Sequence, residues 1–243
     1  MSRFYVNKES VKGNRIYISG KEAHHILDVM RLKLLDDVVV FDGTGKEYAG
    51  VVKKAGRKSL EVEIKEIRNA PRKEFHIITL IQAIPKKEKM DYISEKATEL
   101  GVSYIIPVTT ERTIPDWGEA KKASIVERWR RIAREAAKQC GRLDIPDVRS
   151  IMPLEEAIKT VDGYDLKLIA ALNNKGIKLK DALKSCKGSK IVIAIGPEGD
   201  FTPEEIDAAV KADFLIVNLG PLTLKSDTAG LAVLSVMNYE CSS

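Results

Sequence analysis

In this chain of 243 residues, the groups best suited to chemistry gather in three short stretches: "IAALNN" from Ile169, "IGPEGDF" from Ile195 and "VNLGPLTLKSDTAG" from Val217. The ionic anchors that stand out in them are Glu198, Lys225 and Asp227, and Leu172, Leu219, Leu222 and Leu224 add apolar surface. Backbone N–H and C=O groups framed by leucines suit a flat adenine held through its edge. A carboxylate at Glu198 or Asp227 also tolerates a nearby sulfonium cation. These features permit such a ligand without selecting it. Gly196 and Gly199 flank Pro197 and Glu198, and two glycines in one turn let a backbone or ligand approach where a Cβ would collide. The chain then opens a helix with Thr202 as cap, Pro203 at the first position and Glu205 completing a Thr-x-x-Glu capping box.

Each stretch ends an apolar run: "DLKLIAAL", "KIVIAIG" and "FLIVNLG". From Phe75 onward such runs alternate with amphipathic segments. "FHIITLIQAI" is followed by "KKEKMDYISEKATEL", and "YIIPVT" by a predicted helix from about Glu119 to Cys140 that stops at Gly141. A shorter helix is expected near Leu179 to Ser185 and a last one up to about Tyr239. Apolar strands alternating with helices predict an α/β unit with a parallel sheet covered on both faces. Ligands in such folds bind beyond the carboxyl ends of the strands, which is where all three stretches fall. The first seventy residues differ. "NRIYIS", "VVVFDG", "EYAGVVKK" and "SLEVEIKEI" read as short strands around a helix-like "GKEAHHILDVMRL", as in a small β-barrel. "RNAPRKE" breaks that pattern, giving expected domains of 1–70 and 73–243.

Several function classes are excluded or unsupported. "FDGTGKEY" has Tyr48 where a dinucleotide fingerprint needs its third glycine, and strand residues follow it, so it reads as a hairpin turn. No Walker-type phosphate loop occurs. His24 and His25 are adjacent and would point about 100° apart on a helix, so no metal is expected. Three scattered cysteines, Cys140, Cys186 and Cys241, suit a reducing cytoplasm rather than a disulfide framework. No apolar run reaches the roughly 18 residues of a membrane span, and no signal peptide is read at the N-terminus. The net charge of +5 is compatible with a polyanionic partner.

"IGPEGDFTPEEI" followed by "LGPLTLKSDTAG" resembles the C-terminal signature of SPOUT-class RNA methyltransferases, and most closely that of the bacterial 16S rRNA uridine-N3 methyltransferases, the RsmE family. Further matches are "SRFYV", "HHILDVMRLKLLDDVVVFDG", "KATELGVSYIIPVTTERT" and "RWRRIAREAAKQCGR", so the resemblance runs along nearly the whole chain. It implies an N-terminal PUA-like β-barrel, a C-terminal α/β domain with a deep trefoil knot at about 166–240, and a homodimer. It also implies S-adenosylmethionine as methyl donor and a uridine of small-subunit (16S) rRNA as acceptor. Carried over by motif, the cofactor contacts would be Leu172, Gly196, Pro197, Gly199, Leu219, Gly220, Leu224 and Thr228. The chain departs from the usual pattern at Leu222 and Lys225, which stand for arginines, at Asp227, which stands for glutamate, and at Asp200, which stands for glycine. Lys225 keeps a charge without the planar fork, and Leu222 loses the charge.

Methylation of uridine N3 requires loss of its imide proton and in-line placement of N3 behind the methyl group. The candidate bases are Glu198 and Asp227, and the candidate anion stabilisers are Lys225, Arg112 and Arg142. N3 lies on the pairing edge, so the base must be unpaired or flipped out. Arg131, Arg134, Lys138 and Arg142 recur at spacings of three and four, away from Ile125, Trp129, Ile132 and Cys140. Such a stripe is expected to bind phosphate, extended by Arg3, Arg31, Lys33 and Arg112. The last helix, "DTAGLAVLSVMNYE", is apolar around much of its circumference and is expected to bury Leu234 and Met237 against a second copy. Two other readings remain open: a non-catalytic RNA-binding module, and a related methyltransferase or other α/β enzyme with a different target.

Overall fold

The computed structural model describes residues 3–69, 76–113, 117–172, 176–184 and 190–241. The expected boundary between 70 and 73, Cys186, Ser185 and the two asparagines closing "IAALNN" lie outside the described residues. The chain divides into two compact units, Met1–Lys73 with Ala137–Ile145, and Glu74–Ala136 with Pro146–Ser243.

In the first unit, β1 (Arg3–Tyr5), β2 (Val11–Lys12), β3 (Arg15–Ser19), β4 (Asp37–Phe41), β5 (Lys46–Ala55) and β6 (Ser59–Asn69) form one sheet in the order β1-β4-β5-β6-β3-β2. Strict alternation in β3 turns Ile16 and Ile18 inward, where they join Phe4, Ile26, Val38 and Val40 in a separate core. The helix of this unit is shorter than its sequence pattern implies. α1 covers only Gly20–His24 and passes into a π-helical turn at His25–Val29. "FDGTGKEY" is indeed a hairpin connection, joining antiparallel β4 and β5 through Gly43 and Gly45, both at positive φ. The backbone of Gly43 and Gly45 exchanges hydrogen bonds with Ile145 and Leu143, which ties the 137–145 segment to this unit.

The second unit is built on eight strands, every recorded pair of them parallel. In chain order its elements are β7 (Ile77–Ala83), α2 (Lys89–Glu99), β8 (Tyr104–Thr109), α3 (Glu119–Cys140, of which the residues from Ala137 belong to the first unit), β9 (Asp147–Val148), β10 (Met152–Pro153), α4 (Leu154–Thr160) and β11 (Leu166–Ala170). β12 (Ile177–Lys178), α5 (Leu179–Lys184), β13 (Lys190–Ile195), α6 (Pro203–Lys211), β14 (Leu215–Asn218) and α7 (Ser226–Cys241) complete it. The strand order is β10-β8-β7-β13-β11-β14-β12, with β9 beside β8. Two apolar clusters, one around Leu80, Ile105 and Ile193 and the other around Ile81, Ile106 and Val192, use alternate residues of the same strands. The central strands are therefore covered on both faces.

α3 has the expected bounds and stops at Gly141, whose φ of 81° lies in the left-handed region. Its core face is Val126, Trp129 and Ala133, with the indole N–H of Trp129 donating to Asp91 at 3.1 Å. Cys140 is exposed and free, not turned inward. α7 corrects a further expectation. Leu234 and Met237 are fully buried in the unit's own core with Val233 and Leu80. They are packing residues of one chain, because α7 is sandwiched against α2, β7 and β13. No helix among the described residues is long and apolar enough to cross a membrane.

Candidate functional site

The strand order explains why three loops distant in sequence meet. β11 lies between β13 and β14, all parallel, so the segments leaving their carboxyl ends emerge side by side. They enclose a cavity of about 320 Å³, within the range of small-ligand and cofactor pockets, roughly 300–1,000 Å³. Leu172, Gly196, Pro197, Leu219, Gly220 and Leu224 line it, as do Glu198, Asp200, Leu222 and Lys225. Gly199, Asp227 and Thr228 do not. The face of Gly199 is covered by the aliphatic part of Arg112, and Thr228 projects to solvent from the first turns of α7.

The local sequence builds this loop in a definite way. Thr202 Oγ1 accepts from the Glu205 N–H, and the Glu205 carboxylate accepts from the Thr202 N–H, so both halves of the capping box form. The other carboxylate oxygen of Glu205 takes the Glu111 N–H at 2.9 Å. Arg112 donates to the carbonyls of Gly199, at 2.5 Å, and Phe201. Arg112 is thereby engaged as a strut of the loop. Underneath, Ser226 Oγ donates to the Gly196 carbonyl at 2.5 Å and accepts from Gln82 Nε2 at 3.0 Å. All three residues are buried. Replacing Ser226 by alanine would leave that carbonyl unpaired away from water, a cost of about 1–3 kcal/mol. Denaturant unfolding of Ser226→Ala should show a loss in this range, and an unchanged midpoint would remove the strut from the account.

The three ionic anchors have distinct surroundings. Glu198 accepts from the Lys86 N–H at 3.2 and 3.3 Å and from Lys89 Nζ at 3.1 Å. Burial alone would raise its pKa, but its own N–H, the Lys89 ammonium and the Lys86 N–H outweigh that and hold it below the usual carboxylate range. A carboxylate stabilised in this way is a weak base. Its ionised form also supports the fold, because a folded pKa below the unfolded one contributes stability above the unfolded value of ~4.3. That contribution is lost as pH falls through the folded pKa. The stability gap between the wild type and Glu198→Gln should therefore be constant above about pH 5 and close below about pH 4. A gap that persists at low pH in denaturation curves would show that the charge is not its source.

Asp227 Oδ1 is buried without a hydrogen-bond partner and lies 3.8 Å from Lys89 Nζ. Lys225 is exposed on the cavity wall. Lys89, which the sequence reading missed, thus sits between both acidic anchors. Its signal was faint: one lysine in the run "KKEKM" at the start of α2. Among the described residues, no three His, Cys, Asp or Glu side chains are grouped to hold a metal ion.

The basic candidates separate into two sets. Lys138 is only 12% exposed and pairs with Glu22 at 2.8 Å. Arg142 pairs with Asp144 at 2.5 Å, and Arg3 binds Glu47 at 3.0 Å and the Gly141 carbonyl at 2.6 Å. These three are tied down inside the first unit, so they do not form the free stripe expected from the spacing. Arg31, Lys33 and Arg131 are exposed, and Arg134 is half-buried.

Residues 72–238 match the family described as "RNA methyltransferase domain", and residues 18–65 match "RNA methyltransferase PUA domain". The ribosomal RNA small subunit methyltransferase E of Aquifex aeolicus is 30% identical across 98% of this chain and 100% of that protein. This chain belongs to the ribosomal RNA small subunit methyltransferase E family. The Bacillus subtilis member is 28% identical over 99% of this chain and 97% of its own length. A solved structure of the methyltransferase E from Neisseria gonorrhoeae, bound to S-adenosyl methionine, superposes with a TM-score of 0.85 at 31% identity, covering 98% of this chain and 97% of that one. A putative methyltransferase from Legionella pneumophila in complex with the same cofactor gives 0.84 at 30% identity, covering 98% and 96%. The first unit is accordingly PUA-like and the second is the family's RNA methyltransferase domain. Asp200, Leu222 and Lys225, the positions at which the resemblance leads one to expect glycine and two arginines, all line the cavity.

Proposed function

We propose that this protein transfers a methyl group from S-adenosylmethionine to N3 of a uridine in small-subunit (16S) rRNA. The observation that carries the reading is the cavity at the carboxyl ends of β11, β13 and β14, in a chain of the methyltransferase E family. The residues present fit the cofactor. Gly220 holds φ at 121°, open only to glycine at little cost, and Gly196 lets the loop pack closely on Asp200 and Phe201, where a Cβ would be crowded. Leu172, Leu219 and Leu224 offer apolar surface to adenine. Bound there, the cofactor supplies an electrophilic methyl group on a sulfonium.

The chain's own part is to receive the base, stabilise its anion and accept its proton. Glu198 lines the cavity, but its charge is committed to Lys89 and to backbone N–H groups, which makes it a weak base. Asp227 has one oxygen lacking a hydrogen bond, but that oxygen is buried 3.8 Å from Lys89 Nζ and the residue stands outside the cavity lining, so it would take the proton only after turning toward the base. Lys225, exposed beside the cavity, is suited to the developing negative charge on the uracil oxygens. Arg31, Lys33 and Arg131 are the phosphate contacts that the exposure pattern favours. Changing the three to glutamate should weaken rRNA binding and flatten its salt dependence while cofactor affinity stays constant. Unchanged RNA affinity and salt slope would assign these cations to plain solvation.

The family relationship also supports a homodimer, a knotted threading of the second unit around the site, and action in the cytoplasm. The deciding experiment is transfer of labelled methyl groups to small subunits lacking the modification, followed by mapping of the modified nucleoside. Label at uridine N3 supports the proposal. Label elsewhere, or cofactor binding with no transfer, overturns it.

A further inference from the structure

We infer that Asp200 is the counter-charge for the cofactor's sulfonium, so that the cavity distinguishes the cationic methyl donor from its neutral demethylated product. The inference rests on reading the cavity as an S-adenosylmethionine site.

Asp200 occupies a conformation that its type adopts at a cost. Its φ is 61°, in the left-handed region that glycine adopts freely and that Asp enters when its side chain hydrogen-bonds locally, as Asp200 does to the Phe201 N–H. Glycine would serve the backbone there at lower cost, so what the side chain adds is of interest.

It supplies two things. Oδ2 accepts the Leu172 N–H and Oδ1 accepts the Phe201 N–H, both at 2.9 Å, which latches the loop after β11 to the loop after β13. It also brings a negative charge to the cavity wall. Of the charged residues that line the cavity, Glu198 pairs with Lys89, and Lys225 is exposed without a side-chain partner among the described residues. Asp200 is half-buried, and it accepts hydrogen bonds from two neutral amides. Asp200 makes no ion pair among the described residues; the Arg112 guanidinium that reaches the same loop is held by the Gly199 and Phe201 carbonyls instead.

Each Asp200 oxygen accepts one N–H and keeps a second lone pair, so the carboxylate's charge stays open to a cation in the cavity. A sulfonium donates no conventional hydrogen bond and responds mainly to the field. In a partly desolvated cavity that field is far stronger than in water. Once the methyl group has left, the sulfur is a neutral thioether and the attraction to Asp200 ends, which favours product release.

The test is calorimetric titration of the wild type, Asp200→Asn and Asp200→Gly with three probes: S-adenosylmethionine, S-adenosylhomocysteine, and sinefungin, which carries an amine in place of the methylsulfonium. Asp200→Gly relieves the backbone strain but gives up both N–H contacts, so thermal melting first establishes that each variant is folded. The wild type should prefer the two cationic probes over S-adenosylhomocysteine. In both variants that preference should fall by about tenfold. Equal weakening of all three probes would show a latch without a charge role and overturn the inference, as would three unchanged affinities. A folded wild type that binds none of the probes would overturn the cofactor reading itself and this inference with it.

Discussion

Gly196→Val should weaken S-adenosylmethionine binding by about 100-fold, while Gly199→Val, three residues further on, should change it by no more than about threefold. The sequence alone makes the two glycines look equivalent, since they bracket the same Pro-Glu pair. The structure separates them. A Cβ on Gly196 would sit 3.2 Å from Asp200 Oδ1, 3.3 Å from the Asp200 Cα and 3.3 Å from the Phe201 ring. Phe201 is 2% exposed and packed into the core, so the ring cannot yield, and the Asp200 oxygen is held by the Phe201 N–H. The branched methyl groups of valine would be forced into the cavity or would push Asp200 off Leu172. At Gly199 the nearest atoms belong to the side chain of Arg112, with Cδ at 3.2 Å, and this exposed arginine can shift by the few tenths of an ångström required while its guanidinium stays on the Gly199 carbonyl. Calorimetry on both variants, with circular dichroism to establish folding, provides the comparison. Equal losses at the two positions would place Gly199 on the cofactor after all. A folded Gly196→Val with near-normal affinity would remove the loop after β13 from the site.

What could be read from residue order follows from how local each signal is. The capping box of Thr202 and Glu205 spans four residues, and both of its hydrogen bonds form. The end of α3 at Gly141 is equally local, as is the alternation of apolar runs that marks the parallel sheet. α4 was not anticipated, because "LEEAIKT" is only two turns long and offers one side of apolar residues. Pairings across the sheet are not encoded in periodicity. Nothing in "DLKLIA" says that β11 lies between β13 and β14, yet that order brings the three loops to one cavity.

The site residues divide in the same way. Leu172, Gly196, Pro197, Leu219, Gly220 and Leu224 meet at one cavity because they sit in the strand-end loops, a placement that a sequence can reveal. The groups that support them are remote. Ser226 reaches Gly196 across 30 residues and is itself held by Gln82 across 144. Lys89 meets Glu198 across 109 residues. The basic stripe fails for this reason too. A lysine at helical spacing reads as solvated until its partner is known, and for Lys138 that partner is Glu22, 116 residues away.

Leu234→Glu or Met237→Glu should unfold the second unit outright, a result that the apolar pattern of α7 had assigned to a lost interface between copies. Both residues are 0% exposed within a single chain, packed with Leu80, Ile93 and Val233 in one cluster. A carboxylate placed there finds no partner, and an unpaired buried charge together with lost packing costs several kcal/mol, of order 3–5. That is a large share of the roughly 5–15 kcal/mol that holds a typical domain together. The expected observations are loss of the cooperative melting transition and aggregation, whatever the oligomeric state of the wild type. A lower mass in light scattering would consequently say nothing about a dimer. The apolar surface of α7 that a second copy could cover is elsewhere: Val236 and Tyr239 are 39% and 78% exposed, and Tyr92 of the neighbouring α2 is 51% exposed. Val236→Glu combined with Tyr92→Glu should leave melting within about 1 kcal/mol of the wild type and halve the mass if the protein pairs through this face. If instead Leu234→Glu melts cooperatively near the wild-type temperature, the assignment of α7 to the core of its own chain is wrong.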